Sequence, residues 1–391
     1  DRHRRMSQRI KPVESIDANL LERAELTVGG PIRSEANVYR TLATYPQLLL
    51  AWLSWGSHVL RSNGLDAQLR ELVILRTTLV CGGQYPLTQH VRIAHECGVT
   101  DEEIAKFSGD PTSALQGNKS HRTVMLSVDQ LLHRGHIDDR RWNELTESLG
   151  VEAVFDLVST VAFYRLACWM LNTCQTELDP EQTIPDLPSV KVSRVFEGTA
   201  PDSQRVPPIP VERWSNQLQD ETASWPRFTG RPDLRNARVY GTLANHETLF
   251  TAIGPAMGHL LVGNALDDSL REIVIVRSCL HDRGAYPFRQ HVRIAAESGV
   301  DRPTIMELAS KNPSFRSADE QVVVKAVDEL HRESSVTDNT WDELVRRLST
   351  DAIMDMVFTA GFYGLISFVL NVSGTQLEPG TVELAPRPFD K

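Results

Sequence analysis

Apolar positions along the chain recur three and four residues apart: Leu69, Leu72, Val73 and Val80 fall on one face, as do Val124, Val128, Leu131 and Leu132 further on. No stretch shows the strict alternation of a half-buried strand. Gly98 and Gly299 each follow such a periodic stretch and read as helix stops, and Thr100-Asp101-Glu102-Glu103 supplies a cap with acids in the next first turn. The pattern predicts an all-α bundle. The longest apolar runs, YPQLLLAWLSW and VAFYRLACWMLN, fall short of the roughly 20 residues that span a bilayer, and the second carries Arg165. Both read as buried helices, and no membrane partner is expected.

The same pattern occurs twice. Shifting the chain on itself by 201 positions aligns LRELVILRTTLVCGGQYPLTQHVRIAHECGV, from Leu69, with LREIVIVRSCLHDRGAYPFRQHVRIAAESGV, from Leu270, with 19 of 31 positions identical. Upstream the match includes Tyr39/Tyr240, Ala43/Ala244 and His58/His259; downstream, at an offset of 199, it continues through Asp129/Asp328, Trp142/Trp341, Phe163/Phe362, Tyr164/Tyr363 and Asn172/Asn371. Two tandem helical-bundle repeats are expected, residues 1–180 and 213–391, packed through a pseudo-two-fold interface. Between them residues 181–212 are rich in proline and read as an extended linker lying over the surface.

Composition narrows the partners. The chain has 391 residues, 41% hydrophobic and 24% charged, enough for two sizeable cores. A net charge of -10 and a pI near 5.7 give no electrostatic reason to expect nucleic acid or an anionic membrane. Small molecules and protein subunits remain. Five cysteines (Cys81, Cys97, Cys168, Cys174, Cys279) form no C-x-x-C pair and fit a reducing compartment. The basic opening DRHRRMSQRIKP has no apolar region behind it, so a cytoplasmic location is expected, with the residues before Met6 extraneous to the natural start.

Candidate chemistry lies in the duplicated segment. A helix ending near Val80, the connector CGGQYP and a second helix from Leu87, with Pro86 at or near its first position, bring Glu71 and His90 into one part of the bundle; Glu272 and His291 do likewise. In the opening turn of a helix His90 would feel the positive end of the dipole and stay neutral, a usable base that the carboxylate orients. Glu71 could instead pair with Arg76 or with an arginine elsewhere in the bundle. Tyr85 and Tyr286, in the connectors, are site candidates or turn-packing aromatics. His58 and His259, each 13 residues before its glutamate, are candidate substrate-binding residues from the preceding helix. Trp52, Trp55 and Trp169 lack tryptophan counterparts and suggest a larger aromatic wall in the first repeat, a pocket or an interface, with Trp55 a further substrate-binding candidate. Arg92 and Arg293 read as solvated or interface ion pairs. His95 faces Ala296 in the repeat, and a five-residue step from His90 is not a same-face spacing, so no metal site is expected.

RELVILR, a small-residue turn, Tyr and QHVRIA together resemble the carboxymuconolactone decarboxylase family, related to alkylhydroperoxidase D, over residues 35–178 and 236–377. The resemblance implies an all-helical fold assembled into trimers or hexamers, hence a homo-oligomer. In the family's peroxidase branch a Glu precedes by 19 positions a His that ends a proton relay, with two redox cysteines between. Here the Glu71–His90 and Glu272–His291 spacing is kept, but the redox cysteine positions fall on Gly83 and Pro86, and on Gly284 and Pro287. Cys81 has Asp282 as its counterpart, a poor start for a dithiol cycle. The decarboxylase branch requires no cofactor. The expectation is therefore a cofactor-free acid/base lyase, decarboxylase, isomerase or cyclase on a small unsaturated carbonyl or lactone acid, in aromatic degradation or secondary metabolism. The alternatives are a non-catalytic oligomeric binding protein and a thiol peroxidase using Cys81. The connectors differ at Cys81/Asp282, Gly82/Arg283, Leu87/Phe288 and Thr88/Arg289, which favours the first repeat as the active one.

Overall fold

A computed structural model of the chain describes residues 8–110, 119–180, 182–187, 201, 203–225, 231 and 234–379. Among these the protein is all helical, with eighteen α-helices and no strand. The first half runs α1 (Ala18–Val28), α2 (Asn37–Leu42), α3 (Pro46–Ser57), a π turn (His58–Ser62), α4 (Ala67–Val80), α5 (Gln84–Glu96), α6 (Asp101–Ser108), α7 (Lys119–Arg134), α8 (Asp139–Leu149) and α9 (Val151–Cys174). The second half runs α10 (Asn216–Thr222), α11 (Arg238–Leu243), α12 (Glu247–Gly258), a π turn (His259–Gly263), α13 (Asp268–His281), α14 (Ala285–Glu297), α15 (Arg302–Leu308), α16 (Ala318–Glu333), α17 (Asp338–Leu344) and α18 (Thr350–Ser373). From α2/α11 onward the two halves follow the same order.

Local signals act as the residues dictate. Asp66 and Asp267 accept from the backbone N–H of Leu69 and Leu270 at 3.0 and 2.9 Å and start α4 and α13. Thr100 and Glu103 form a reciprocal capping box. Gly98 and Gly299 turn the chain with φ of 86° and 91°, where a side chain would be strained.

Helices α9 and α18, 24 residues each, are predominantly apolar and buried over all but their first turns and one asparagine near each C-terminal end. By length and composition both could cross a membrane, but each is enclosed by the surrounding helices of the bundle. They pack on one another where glycine permits it: a Cβ at Gly361 would stand 2.6 Å from Leu166 Cδ1, and one at Gly364 1.8 Å from Arg165 Nη2. Two separate cores are expected from the repeats; instead one cluster runs through both halves, with Trp55 edge-on to Phe362 at 5.7 Å, because α9 and α18 are each other's largest apolar surface. A smaller cluster holds Leu72, Leu75, Leu87, Phe107 and Met125.

Contacts between the halves are reciprocal. Arg9 donates to the carbonyls of Thr173 and Val336 and lies over Trp341, while Arg205 donates to those of Val372 and Ile137 and lies over Trp142. Each of these chains thus sits at the end of one long helix and reaches into the opposite half. Within residues 181–212, the backbone N–H groups of Arg205 and Val206 donate to Ser373 O, and Val206 is buried. Residues 181, 188–200 and 202 of the linker and the basic opening through residue 7 lie outside the described residues.

Candidate active site

Glu71 is fully buried on α4, and its Oε2 accepts from Nδ1 of His90 at 2.6 Å. Its Oε1 accepts from the neighbouring Arg70, Nη2 at 3.1 Å and Nε at 3.2 Å. The pairing with Arg76 does not occur; that guanidinium is held by both oxygens of Asp129 at 2.8 and 2.7 Å. Burial pushes the Glu71 carboxyl up, yet the hydrogen bond from His90 and the charge and hydrogen bond of Arg70 outweigh it and hold the group below its ordinary value. An ionised carboxylate only accepts, so Nδ1 of His90 carries a proton.

The other face of His90 meets a residue that sequence reasoning did not place in the site. Tyr164 Oη lies 2.8 Å from His90 Nε2, with the two rings edge-on at 4.7 Å. With Nδ1 protonated, a neutral His90 leaves Nε2 as the acceptor and Tyr164 as the donor. Burial, and next the charge of Glu71, push the phenol well above its ordinary value, so it keeps its proton.

Sequence spacing misjudges the start of α5. The helix begins at Gln84, and Pro86 sits inside the first turn, where its missing N–H costs nothing. His90 therefore lies almost two turns in, away from the dipole's positive end. Its ring is held by Glu71 and Tyr164 instead.

His90 and Tyr164 line a cavity of about 240 Å³ together with Tyr39, Trp52, Phe163 and Arg61. Tyr85 lines it too, but its hydroxyl donates to Asp179 Oδ2 at 2.9 Å and accepts from the Val38 N–H at 3.2 Å, so the ring is a wall and the hydroxyl a strut. Three arginines, Arg33, Arg61 and Arg92, border the cavity; Arg61 donates to the carbonyls of Val28 and Pro31. Arg92 forms the expected exposed pair, with Glu96.

Three substrate-binding candidates lie elsewhere. Trp55 has no exposed surface, and its Nε1 donates to Ser159 Oγ at 2.9 Å between the halves. His58 bonds Asp156 at 2.7 Å and His259 bonds Asp355 at 2.6 Å, both buried off the cavity. The 13-residue step before the glutamates does not say which face of the helix bundle a side chain meets, and Asp156 and Asp355 turn both rings toward the long helices. The absence of metal spacing in the sequence is likewise a statement about neighbours along the chain: folding brings His58, Asp156 and His246, from three distant elements, within 4.8 Å of one another.

In the second half Glu272 Oε2 accepts from His291 Nδ1 at 2.7 Å, and Arg293 pairs with Glu297 as Arg92 does with Glu96. Tyr363 stands edge-on to His291 at 4.7 Å without the hydrogen bond that Tyr164 makes. Arg271 turns to Asp268 at 2.7 Å and only approaches Glu272 at 3.5 Å. Tyr286 donates to Glu378, as Tyr85 does to Asp179. At the shared offset Val262 and Ile253 replace Arg61 and Trp52. Of the residues in which the connectors differ, Asp282 grips Arg165 of the other half at 2.6 and 2.9 Å, and Phe288 is buried in the core.

The thiols stand apart from this chemistry. Cys81, at the head of the connector, and Cys168, on α9, are buried and line no part of the cavity; the space that a side chain at Gly83 would need is filled by Cys168, whose Sγ would lie 2.2 Å from a Cβ there. No curated protein matches the chain. Residues 46–119, which run from α3 through α6 and include Glu71 and His90, match the model of the carboxymuconolactone decarboxylase family, so the segment that carries the site is similar to that family.

Proposed function

We propose that the first half is a cofactor-free acid/base site acting on a small unsaturated carbonyl or lactone acid, as a lyase or isomerase. The observation that carries this reading is the unbroken run from the cavity through Tyr164 Oη and His90 to Glu71. When Tyr164 takes a proton from a substrate carbon it hands its own to His90 Nε2, and the imidazolium formed is compensated by the Glu71 carboxylate. Run backwards, the same steps deliver a proton to a carbanion. In a decarboxylation the substrate's conjugated carbonyl accepts the electron pair as carbon dioxide leaves, and the relay supplies one proton drawn from solvent. Such chemistry needs no metal or redox group.

The arginines around the cavity favour an anionic substrate, and a volume of about 240 Å³ favours a small one. A cytoplasmic homo-oligomer belongs to the same reading. The test is a panel of unsaturated lactone acids and β-keto acids incubated in deuterated buffer, with product deuteration followed by NMR. Label should enter with the wild type and fall by about 100- to 10,000-fold with Tyr164→Phe. Binding without label transfer, equal in both proteins, would instead make the chain a binding protein, and loss of transfer only on alkylating Cys81 would make it a thiol enzyme.

A further inference from the structure

We propose that His58, Asp156 and His246 form a buried zinc site that staples the two halves together. His58 opens the π turn after α3, Asp156 lies on α9 and His246 caps the start of α12, so two ligands come from the first half and one from the second. All three side chains are buried. His58 Nε2 stands 2.7 Å and His246 Nε2 3.0 Å from the same carboxylate oxygen, Oδ1 of Asp156.

The odd member is His246. Its Nε2 is shut off from solvent and, despite the 3.0 Å approach, is not aligned for a hydrogen bond to Asp156 or to any other group. A buried nitrogen pointed at an anion without bonding it is costly unless something lies between them. Two imidazoles and a carboxylate suit zinc, and tetrahedral ligands about 2.0–2.1 Å from the metal stand roughly 3.3 Å apart. The two imidazole nitrogens would move away from the carboxylate oxygen by about 0.6 and about 0.3 Å, and all three ligand atoms already lie within 4.8 Å of one another. Orienting partners are in place: Asp156 Oδ2 accepts from the Gly64 N–H at 2.7 Å, and Thr248 Oγ1, 3.1 Å from His246 Nδ1, can accept the hydrogen bond of the Nδ1–H that metal binding at Nε2 requires. The long 3.4 Å contact from Leu249 N–H to that nitrogen would be given up.

The chain contains its own control. In the other half His259 and Asp355 repeat the pair, but Tyr45 stands where His246 would. Tyr45 Oη donates to Asp355 Oδ2 at 2.9 Å, and burial and Asp355 push its phenol above the ordinary value, so it closes that cluster by hydrogen bonding and offers no ligand. One zinc per chain is therefore expected.

The experiment titrates the full-length, chelator-treated protein with zinc, and with cobalt(II) as a coloured probe of geometry. Expected are one equivalent of zinc per chain, a tetrahedral cobalt spectrum and a thermal midpoint raised by zinc. His246→Tyr, which copies the sister cluster, should weaken binding by more than the tenfold to hundredfold that altering a ligand's partner alone costs. Asp156→Asn, which keeps the side chain's shape, should do the same, and His259→Gln should leave the stoichiometry at one. No binding by the wild type, or the same affinity and spectrum in His246→Tyr and Asp156→Asn, would overturn the site.

Discussion

The two Glu/His pairs share a spacing, a helix-turn-helix and a buried tyrosine at the matching place on a long helix, yet they differ in what surrounds them. In the first half every polar atom is drawn into one line: Arg70 forks onto Glu71, Glu71 holds His90, and His90 meets Tyr164 at the cavity. In the second, Arg271 is shared with Asp268, and Tyr363 makes no bond to His291. Where Arg61 and Trp52 border the first site, Val262 and Ile253 offer neither charge nor a flat aromatic face. A repeated motif preserves a frame; whether the frame is a site depends on residues outside the motif.

The largest expected effect follows directly. His90→Ala and Tyr164→Phe should each lower turnover by about 100- to 10,000-fold, while His291→Ala and Tyr363→Phe should change it less than about tenfold. Because Tyr164 and His90 act as one relay, the double variant should cost little more than the worse single. Equal losses from the two halves, measured as kcat on the same substrate, would remove the asymmetry.

The next effect is on stability and lies between the sites. Arg165 on α9 and Asp282 at the end of α13 form a buried forked pair whose counterparts are Gly364 and Cys81, so one half's charge is answered by the other half's. Removing one partner leaves a buried charge, and Arg165→Met or Asp282→Ala should each cost about 3–5 kcal/mol. Replacing both by apolar residues should restore most of it. Chemical denaturation of the three variants decides this, with kcat per folded molecule unchanged.

What the sequence made legible was local. Helix type, caps at Thr100, stops at Gly98 and Gly299 and the closeness of Glu71 to His90 all follow from short-range periodicity and a 19-residue step. Tyr164 was missed because it arrives from α9, 74 residues beyond His90. The signal was present, since Tyr164 and Tyr363 belong to the repeated positions, but an aromatic inside an apolar helix looks like core until its hydroxyl finds a partner. His58, His259 and Trp55 erred the other way. Their side chains are polar or amphipathic and near the motif in sequence, but the pairing of α9 with α18 makes that neighbourhood an interface between halves. Helix α4 shows the same limit: the apolar stripe suggests one buried face, whereas Leu69 and every residue from Glu71 to Thr78 are buried, because helices cover it on several sides.

A smaller effect tests the mouth of the first cavity. Arg61 borders the cavity, held by the carbonyls of Val28 and Pro31, while its counterpart is Val262, so Arg61→Leu should raise KM for an anionic substrate by roughly tenfold, about 1.4 kcal/mol, with kcat held. Added salt should narrow the gap between the two proteins. A fall in kcat with KM unchanged would move Arg61 from substrate capture to the reaction itself.

The smallest effect separates the two roles open to Glu71. Glu71→Gln keeps the side chain's size and much of its hydrogen bonding, so the fold should survive at neutral pH with a modestly lower thermal midpoint, while turnover falls for want of a charge to balance the His90 imidazolium. The pH dependence gives the sign. Because folding lowers the Glu71 pKa from the ordinary 4.5, the carboxylate's contribution to stability is fully present above that value and is lost as pH falls through the depressed one. The wild type should therefore be the more stable protein near pH 7, and the difference in midpoint should shrink as the pH is taken below 4.5. A purely structural ion pair with Arg70 predicts the same convergence but a turnover loss that tracks the unfolded fraction. Thermal midpoints from pH 7 to pH 3, set beside turnover per folded molecule at pH 7, distinguish them: convergence without a specific rate defect would leave His90 and Tyr164 as the relay and reduce Glu71 to their scaffold.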